Sequence, residues 1–291
     1  MNPRTLNQFL ALAETLHFGR ASDAVSVSIS ALSRNIRNLE EELGVKLFTR
    51  DNRSVAITHQ GRMYEDYARE ALRRWNVLKM ELTETHGPLH GELSVYCSVT
   101  ASYSILFDLL RQLRDKHPGI EIKLQTGDPE EALSRIISGK EELTIAARPG
   151  SLPRTMDFKP IVTSPLLFIA PRQPAHDFPV LPPARNAAWA QIPMILSTSG
   201  LARSRVDAWF RAKRVSPRVY AQVAGNEAIV SMVSLGLGVG VVPQIVLENS
   251  PLAGRVTILK VKPELEPYNV GLFTLRKNRK NPLVEAFWAL A

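Results

Sequence analysis

Residues 17–53 read HFGRASDAVSVSISALSRNIRNLEEELGVKLFTRDNR, and the fold of the chain turns on them. Ala21, Ala24 and Val25 make one short apolar face. Leu32, Ile36, Leu39 and Leu43 then recur at spacings of four, three and four, the period of a helix with one buried side. Only Ser26, Val27 and Ser28 lie between the two, and serine favours turns and helix N-caps. The opposite face of the second helix carries Ser30, Ser33, Arg34 and Arg37. Their hydroxyl and guanidinium groups suit phosphate oxygens and base edges alike. This is the pattern of a helix-turn-helix whose second helix can lie in the major groove of DNA. An ordinary helical hairpin with a solvated polar face has the same periodicity.

On the N-terminal side, Leu6, Phe9, Leu10, Ala13 and Leu16 predict the core stripe of a preceding helix, with Pro3 in its first turn. On the C-terminal side, Val45–Phe48 leads into a charged turn, Arg50–Arg53. Val55 and Ile57 then alternate with Ser54, Ala56 and Thr58 at the period of a strand. The result is a small hairpin, or wing, beside the reading helix. Arg53 at its tip is placed to enter a minor groove, or to be a solvated turn arginine. A long helix follows from Thr58 or His59 to about Thr85. In it Gly61, Ala68, Trp75 and Leu82 repeat every seven residues, with Tyr64, Ala71 and Leu78 between them. Such a seam predicts a dimer interface; the other reading is packing onto the helix's own domain. Gly87–Pro88 stops the helix and His90–Gly91 completes a hinge-like turn.

Beyond Glu92 strands and helices alternate. Strands are expected at Leu93–Val99, Glu121–Thr126, Leu143–Ala147, Leu166–Ala170, Met194–Ser197, Val219–Val223, Gly238–Val242 and Tyr268–Leu275. Helices are expected at Ser104–Lys116, Glu130–Ser138, Leu201–Arg214, Glu227–Leu235 and Pro282–Leu290. This rhythm predicts parallel sheets with helices on their faces, in two α/β lobes. The uncharged run Ala228–Leu247 has the length of a membrane span. Gly236, Gly238, Gly240 and Pro243 break it, so it is read as a buried helix, a glycine turn and a buried strand.

In open α/β sheets ligands bind beyond the carboxyl ends of strands. Those ends hold Ser98, Thr100, Ala101 and Ser102; Thr126 and Gly127; and Ser197, Thr198 and Ser199. Asn226 opens a further helix. Their hydroxyls and free N–H groups could receive a carboxylate, or simply cap helices; Arg148 could add a bidentate contact. The Gly236–Gly240 run follows a helix and precedes a strand, the reverse of a dinucleotide loop. The histidines are scattered, and His86 and His90 flank Gly87–Pro88, so no metal site is expected. Nor does a serine sit in a nucleophile elbow.

The 291 residues are enough for more than one domain. Cys97 is the single cysteine, so no intrachain disulfide forms, and the N-terminus lacks a signal peptide's apolar run. A cytoplasmic protein is expected, without a membrane partner. The net charge is +8, yet residues 1–58 hold seven basic against six acidic groups, and residues 87–291 hold 24 against 17. The surplus thus lies away from the reading helix. It could favour an anionic small molecule, long-range attraction to DNA, or solubility.

Residues 1–58 resemble the winged helix-turn-helix of the LysR-type transcriptional regulators. The match is carried by Phe9, Phe18, Gly19, Arg20, Ala21, Leu32, Ser33, Ile36, Leu39, Glu40, Leu43, Gly44, Leu47, Phe48, Arg50 and Thr58. The stretches GELSVYCSVTASYS, EIKLQTGD, NEAIVSMVSLG and QIVLENSP extend the likeness over nearly the whole chain. They point to the branch of the family that activates the gene for acetohydroxy acid isomeroreductase, in isoleucine and valine biosynthesis. The resemblance implies a DNA-binding domain at 1–58 (helix-turn-helix about 18–37) and a linker and dimerisation helix at 59–86. It also implies a two-lobed effector domain at 87–291 resembling the periplasmic-binding-protein fold, lobe I at about 92–162 and 268–291 and lobe II at about 163–267. It assigns DNA contacts to Ser28, Ser30, Ser33, Arg34 and Arg53; Arg20 and Arg37 complete the expected set. The chain departs from the pattern at Ile29, where proline is common, and at Ala31, where a hydroxyl residue is common. The resemblance further implies acetolactate or acetohydroxybutyrate as inducer and no cofactor. The implied partners are operator DNA, a second copy through the linker helix (with pairing to a tetramer) and RNA polymerase; the chain would also repress its own gene. A solute-binding protein would leave the first 86 residues unexplained, and an enzyme would need a catalytic group that no motif supplies.

Overall fold

The computed structural model describes residues 2–50, 54–82, 88–174, 178–179, 181 and 186–291. The expected wing-tip Arg53, the hinge residues His86 and Gly87, and His176 lie outside the described residues. The chain divides into two compact units, residues 1–87 with 138–140, and residues 88–137 with 141–291.

In the first unit, α1 (Pro3–Thr15) starts where the Asn2 side chain accepts the Arg4 N–H at 2.9 Å. It is followed by α2 (Phe18–Ala24) and α3 (Ile29–Leu43). Leu6, Phe9, Leu12, Ala21, Leu32, Ile36 and Leu39 close one core between the three helices. Three of the expected stripe residues are exposed: Leu16, Ala24 and, at the last residue of α3, Leu43 at 37 %. Leu16 is 41 % exposed because it terminates α1 in the left-handed conformation, with φ 47°, which turns its side chain off the helical face. Ala24 is exposed, and the buried neighbour of Ala21 is instead Ser22, whose hydroxyl donates to the Gly19 carbonyl at 2.8 Å.

The wing is an antiparallel pair, β1 (Phe48–Arg50) and β2 (Val55–Ile57), with Phe48 opposite Ile57. Its anchor is Glu40 of α3, a carboxylate only 3 % exposed. Its Oε1 accepts the N–H groups of Leu47 at 2.9 Å and Phe48 at 3.1 Å, and its Oε2 meets Lys46 and Arg50, both at 3.4 Å. A buried carboxylate persists only when its oxygens are filled in this way. The long helix α4 (His59–Leu82) begins against the same strand. A Cβ on Gly61 would overlap the Leu47 carbonyl oxygen, so only glycine permits this approach.

The heptad seam of α4 divides in two. Gly61 is buried, and Tyr64 and Ala68 belong to the core of this unit, Tyr64 meeting the Phe9 ring edge-on at 4.7 Å. Trp75, Leu78 and Leu82 are exposed, Leu82 at 76 %. The N-terminal half is therefore a domain core rather than a free seam; the distal half alone has no cover among the described residues.

The second unit contains β3 (Gly91–Cys97), α5 (Val99–Ser104), α6 (Leu106–Lys116), β4 (Ile120–Thr126), α7 (Ala132–Ile137), β5 (Leu143–Ala147) and β6 (Met156–Ser164). The chain continues through β7 (Leu166–Pro171), β8 (Pro193–Ser197), α8 (Gly200–Ala212), β9 (Arg218–Val223), α9 (Asn226–Ser234), β10 (Val239–Pro243) and α10 (Gln244–Glu248). It ends with β11 (Val256–Leu259), β12 (Tyr268–Leu275) and α11 (Pro282–Leu290). Two five-stranded sheets result, ordered β4-β3-β5-β12-β6 and β11-β7-β10-β8-β9. They are mixed rather than parallel as expected. β3 runs parallel to β4 and β5, and β8 to β9 and β10, but β12 is antiparallel to β5 and β6, and β7 to β10 and β11. The cause is the connection between lobes. β6 leaves the first sheet and β12 returns to it, pairing Tyr268 with Ser164, so the two must run in opposite senses. The helix expected at Ser104–Lys116 is α6, from Leu106, and the short helix α5 before it was not expected; the stretch expected as a helix from Glu130 opens with a 3₁₀ turn at Pro129–Glu131. The apolar run 228–247 is α9, a turn at Gly236, the buried β10 and the start of α10. Among the described residues no helix is long and apolar enough to cross a membrane.

Because Glu40 satisfies two otherwise buried N–H groups, Glu40→Ala is expected to lower the unfolding free energy by about 3 kcal/mol. Urea denaturation of the full chain, followed by the exposure of the first unit's tyrosines, measures it.

Candidate functional site

The exposed face of α3 is built from its cap onward. The Ser28 hydroxyl accepts the Ala31 N–H at 3.2 Å and lies 3.1 Å from the Ser30 hydroxyl. Ser30, Arg34 and Arg37 are exposed, as is Ile29, while Ser33 and Ala31 are half-buried. Among the described residues neither Arg34 nor Arg37 is held by an ion pair, so both guanidinium groups are free to meet an anion. Arg20 is tied down: its guanidinium donates to the Thr15 carbonyl at 2.9 Å and so braces the turn between α1 and α2. One residue outside the expected set is joined to this face. Arg50 of β1 donates to the Ser33 hydroxyl at 3.4 Å, pairs with Glu40 and stacks over the Phe18 ring at 4.9 Å. It was among the residues that carry the family resemblance, but no contact had been assigned to it.

In the second unit a cavity of about 300 Å³ lies between the sheets. Ser197, Thr198, Ser199 and Asn226 line it, together with Gly225, Ala202 and Ser204. Opposite them stand Asp128, Glu130, Leu133, Ala146 and Ala147, and Tyr268 lies where β12 returns. The other expected effector residues lie outside this lining. Ser98 caps α5 by accepting the Ala101 N–H at 3.2 Å, and the Ser102 hydroxyl donates to the Val99 carbonyl at 2.6 Å. Thr126 is exposed at the end of β4, and the Gly127 N–H donates to the Cys97 carbonyl at 3.1 Å. Thr100 is buried, and its N–H (at 3.1 Å) and its hydroxyl both donate to Glu227. Arg148 is exposed and lies over the Phe158 ring at 5.5 Å; it is not among the cavity-lining residues, though Ala147 and Pro149 on either side of it are.

The cavity thus offers hydroxyls, one amide and two carboxyl groups, and among the described residues no lysine or arginine lines it. Asp128, Glu130, Glu227 and Tyr268 were not in the expected set, because strand-end hydroxyls were the signal sought. Glu130 as a whole is exposed, but its carboxyl lies directly over Gly200, where a Cβ, at φ +88°, would overlap it. Burial, then the Asp128 charge, push its pKa above the usual carboxylate range, against a hydrogen bond from the Leu201 N–H. Burial and the nearby Glu130 likewise raise the Tyr268 hydroxyl. A neutral Glu130 can donate a hydrogen bond as well as accept one. Among the described residues no group of three His, Cys, Asp or Glu is placed to hold a metal ion. Cys97 is fully buried, and burial pushes its thiol up to about 12.

Residues 3–62 match the profile described as bacterial regulatory helix-turn-helix protein, lysR family, and residues 86–291 match the LysR substrate binding domain. The chain is 41 % identical to the HTH-type transcriptional activator IlvY of Salmonella typhimurium, over 100 % of this chain and 99 % of that protein. Among solved structures, a full-length OxyR point variant from Pseudomonas aeruginosa superposes with a TM-score of 0.70 at 22 % identity, covering 100 % of this chain and 94 % of that one. Full-length CbnR complexed with its target DNA superposes with a TM-score of 0.65 at 20 % identity, covering 100 % and 98 %.

Two outcomes follow from the second unit. Glu130 binds its proton more tightly folded than unfolded, so its contribution is present at acid pH and is lost as pH rises from 4.5 through its raised value. Glu130→Gln is therefore expected to melt above the wild type at pH 7, with the difference closing below pH 4.5, by calorimetry at the two pH values. Cys97 is expected to resist iodoacetamide at pH about 8 until the protein is unfolded, because the thiolate is the nucleophile; mass spectrometry reads the adduct.

Proposed function

The chain belongs to the LysR family of DNA-binding bacterial regulators, and from that membership we propose that it is a transcriptional activator of branched-chain amino-acid biosynthesis, induced by a hydroxy-keto acid. The observation that carries this reading is the full-length identity to an activator, which runs through both the helix-turn-helix and the effector domain. The regulated gene would be that of acetohydroxy acid isomeroreductase, and the chain would repress its own. Residues 1–58 would read DNA, 59–86 would join two copies, and 87–291 would bind the inducer.

On operator DNA, α3 lies in the major groove. Ser28, Ser30, Ser33, Arg34 and Arg37 meet phosphates and base edges there, Arg20 meets the backbone beside them, and Arg53 enters the minor groove. Arg50 positions Ser33 for this. Two heads pair through the exposed distal half of α4, around Trp75, Leu78 and Leu82, and dimers pair into a tetramer that presents the promoter to RNA polymerase. The inducer, acetolactate or acetohydroxybutyrate, carries a carboxylate, a tertiary hydroxyl and a ketone. Ser197, Thr198, Ser199 and Asn226 supply donors, and Glu130, whose pKa is raised, supplies one more when protonated, to the ketone or hydroxyl. No cofactor is required. For the switch the inducer must favour one arrangement of the lobes, and a coupling of about 1–3 kcal/mol suffices.

Arg34→Ala is expected to weaken operator binding roughly 10- to 100-fold in gel-shift titrations, while calorimetric titration with acetolactate stays at the wild-type affinity. Unchanged DNA affinity would remove Arg34 from the interface. An operator footprint identical with and without acetolactate would transfer the reading to a regulator of a different small carboxylate.

A further inference from the structure

Thr100 and Glu227 are 127 residues apart and belong to different lobes, Thr100 to α5 after β3 and Glu227 to the first turn of α9 before β10. Thr100 is 3 % exposed, and both of its donors are spent on one atom. Its main-chain N–H lies 3.1 Å from Glu227 Oε1, and its hydroxyl donates to the same oxygen. The Tyr103 hydroxyl stands 3.5 Å behind the Thr100 oxygen. An N–H and an O–H converging on an ionised oxygen are what a small acid needs for recognition, and such charge-assisted bonds are stronger than neutral ones. Here the chain supplies the carboxylate itself. The residues before it, Gly225 and Asn226, line the cavity, so the contact borders the space in which a ligand would lie.

A second contact repeats the arrangement in the opposite sense. The carboxyl of Glu130, from the first lobe, lies directly over Gly200 of the second. Each lobe thus places one carboxyl group against the start of a helix of the other, Glu130 within the cavity lining and Glu227 next to it.

We propose that Glu227 is a tethered stand-in for the inducer's carboxylate: it occupies the donors of Thr100, and an acidic inducer must displace it. This rests on the inducer reading above. Two carboxylates cannot share the Thr100 donors, because each is acceptor-only and their charges repel. Admission of the acid therefore breaks a bond between the lobes and releases the start of α9. The free energy of that bond is subtracted from inducer affinity, as for any ligand whose receptive state is a minor one. The same subtraction makes the ligand's arrival a change in how the lobes are joined, which is the differential interaction a switch requires.

The test uses the full-length chain in three forms: wild type, Glu227→Gln and, as a control of equal charge change on an exposed residue, Glu264→Gln. Hydrogen exchange without ligand reads the contact itself. The Thr100 amide is expected to exchange about tenfold faster in Glu227→Gln than in the wild type and the control, as for an amide released from a local closed state. Equal rates in all three would overturn the proposal. Calorimetric titration with acetolactate reads the competition, and Glu227→Gln is expected to bind about tenfold more tightly than the other two. Equal or weaker binding by Glu227→Gln, or equal tightening in Glu264→Gln, would overturn it. If acetolactate bound to none of the three, the inducer identity would fall, and the exchange rates would still decide whether Glu227 holds Thr100.

Discussion

The recognition end of this protein depends on one buried carboxylate. Glu40 projects from the inner face of α3 and is filled on one oxygen by two N–H groups of the strand that opens the wing. An unfilled carboxylate in that position would not be tolerated, so the register of the wing against the helix follows from it. The remaining oxygen holds Arg50, and Arg50 in turn touches Ser33 and Phe18. A single buried acid thereby helps to fix, through Arg50, a hydroxyl two turns earlier on the same side of α3. Gly61 completes the assembly, since the long helix can begin beside Leu47 only without a side chain there.

The effector half solves a different problem, that of joining two sheets so that they can bear on one ligand. Its answer is a pair of strands that run out and back, β6 and β12, rather than a flexible linker. Between the sheets the lining is polar but, among the described residues, carries no basic side chain. The basic surplus of residues 87–291 therefore lies outside the cavity, where it can raise the local concentration of anions over a distance of about a Debye length. Attraction to the protein and recognition within it are thus assigned to different groups. On the proposed inducer reading, recognition would fall to hydroxyls, amides and a carboxyl group whose pKa is raised.

What the sequence disclosed follows the range of the interactions. Leu32, Ile36 and Leu39 are neighbours along one helix, so their period was enough to place the reading face opposite them. The heptads of α4 were visible for the same reason, but their division was not. Whether Ala68 or Trp75 meets a partner depends on Phe9, which is far away in the chain. Leu16 was misplaced by a left-handed cap that periodicity does not register. The mixed sheets were hidden because strand direction is decided by where the chain returns, not by the strand's own residues. Glu130 and Glu227 were missed on stronger grounds. A carboxylate in a surface-like stretch reads as solvated, and only folding reveals that another lobe's donors are waiting for it.

The contrast between the two halves bears on how a regulator of this kind can be both stable and responsive. Glu40 is enclosed on all sides within one core, so its bonds have no competitor and contribute to stability alone. Glu227 takes an N–H and a hydroxyl instead, beside the cavity-lining Asn226 and between two lobes. There an outside acid can offer Thr100 an equivalent oxygen. The exchange conserves the number of hydrogen bonds, so its free energy is small, and it changes which parts are tied together. A carboxylate bonded to main-chain N–H groups is a permanent rivet where no ligand can reach it. Where one can, the same chemistry becomes a replaceable contact, and the difference lies in access rather than in the bond.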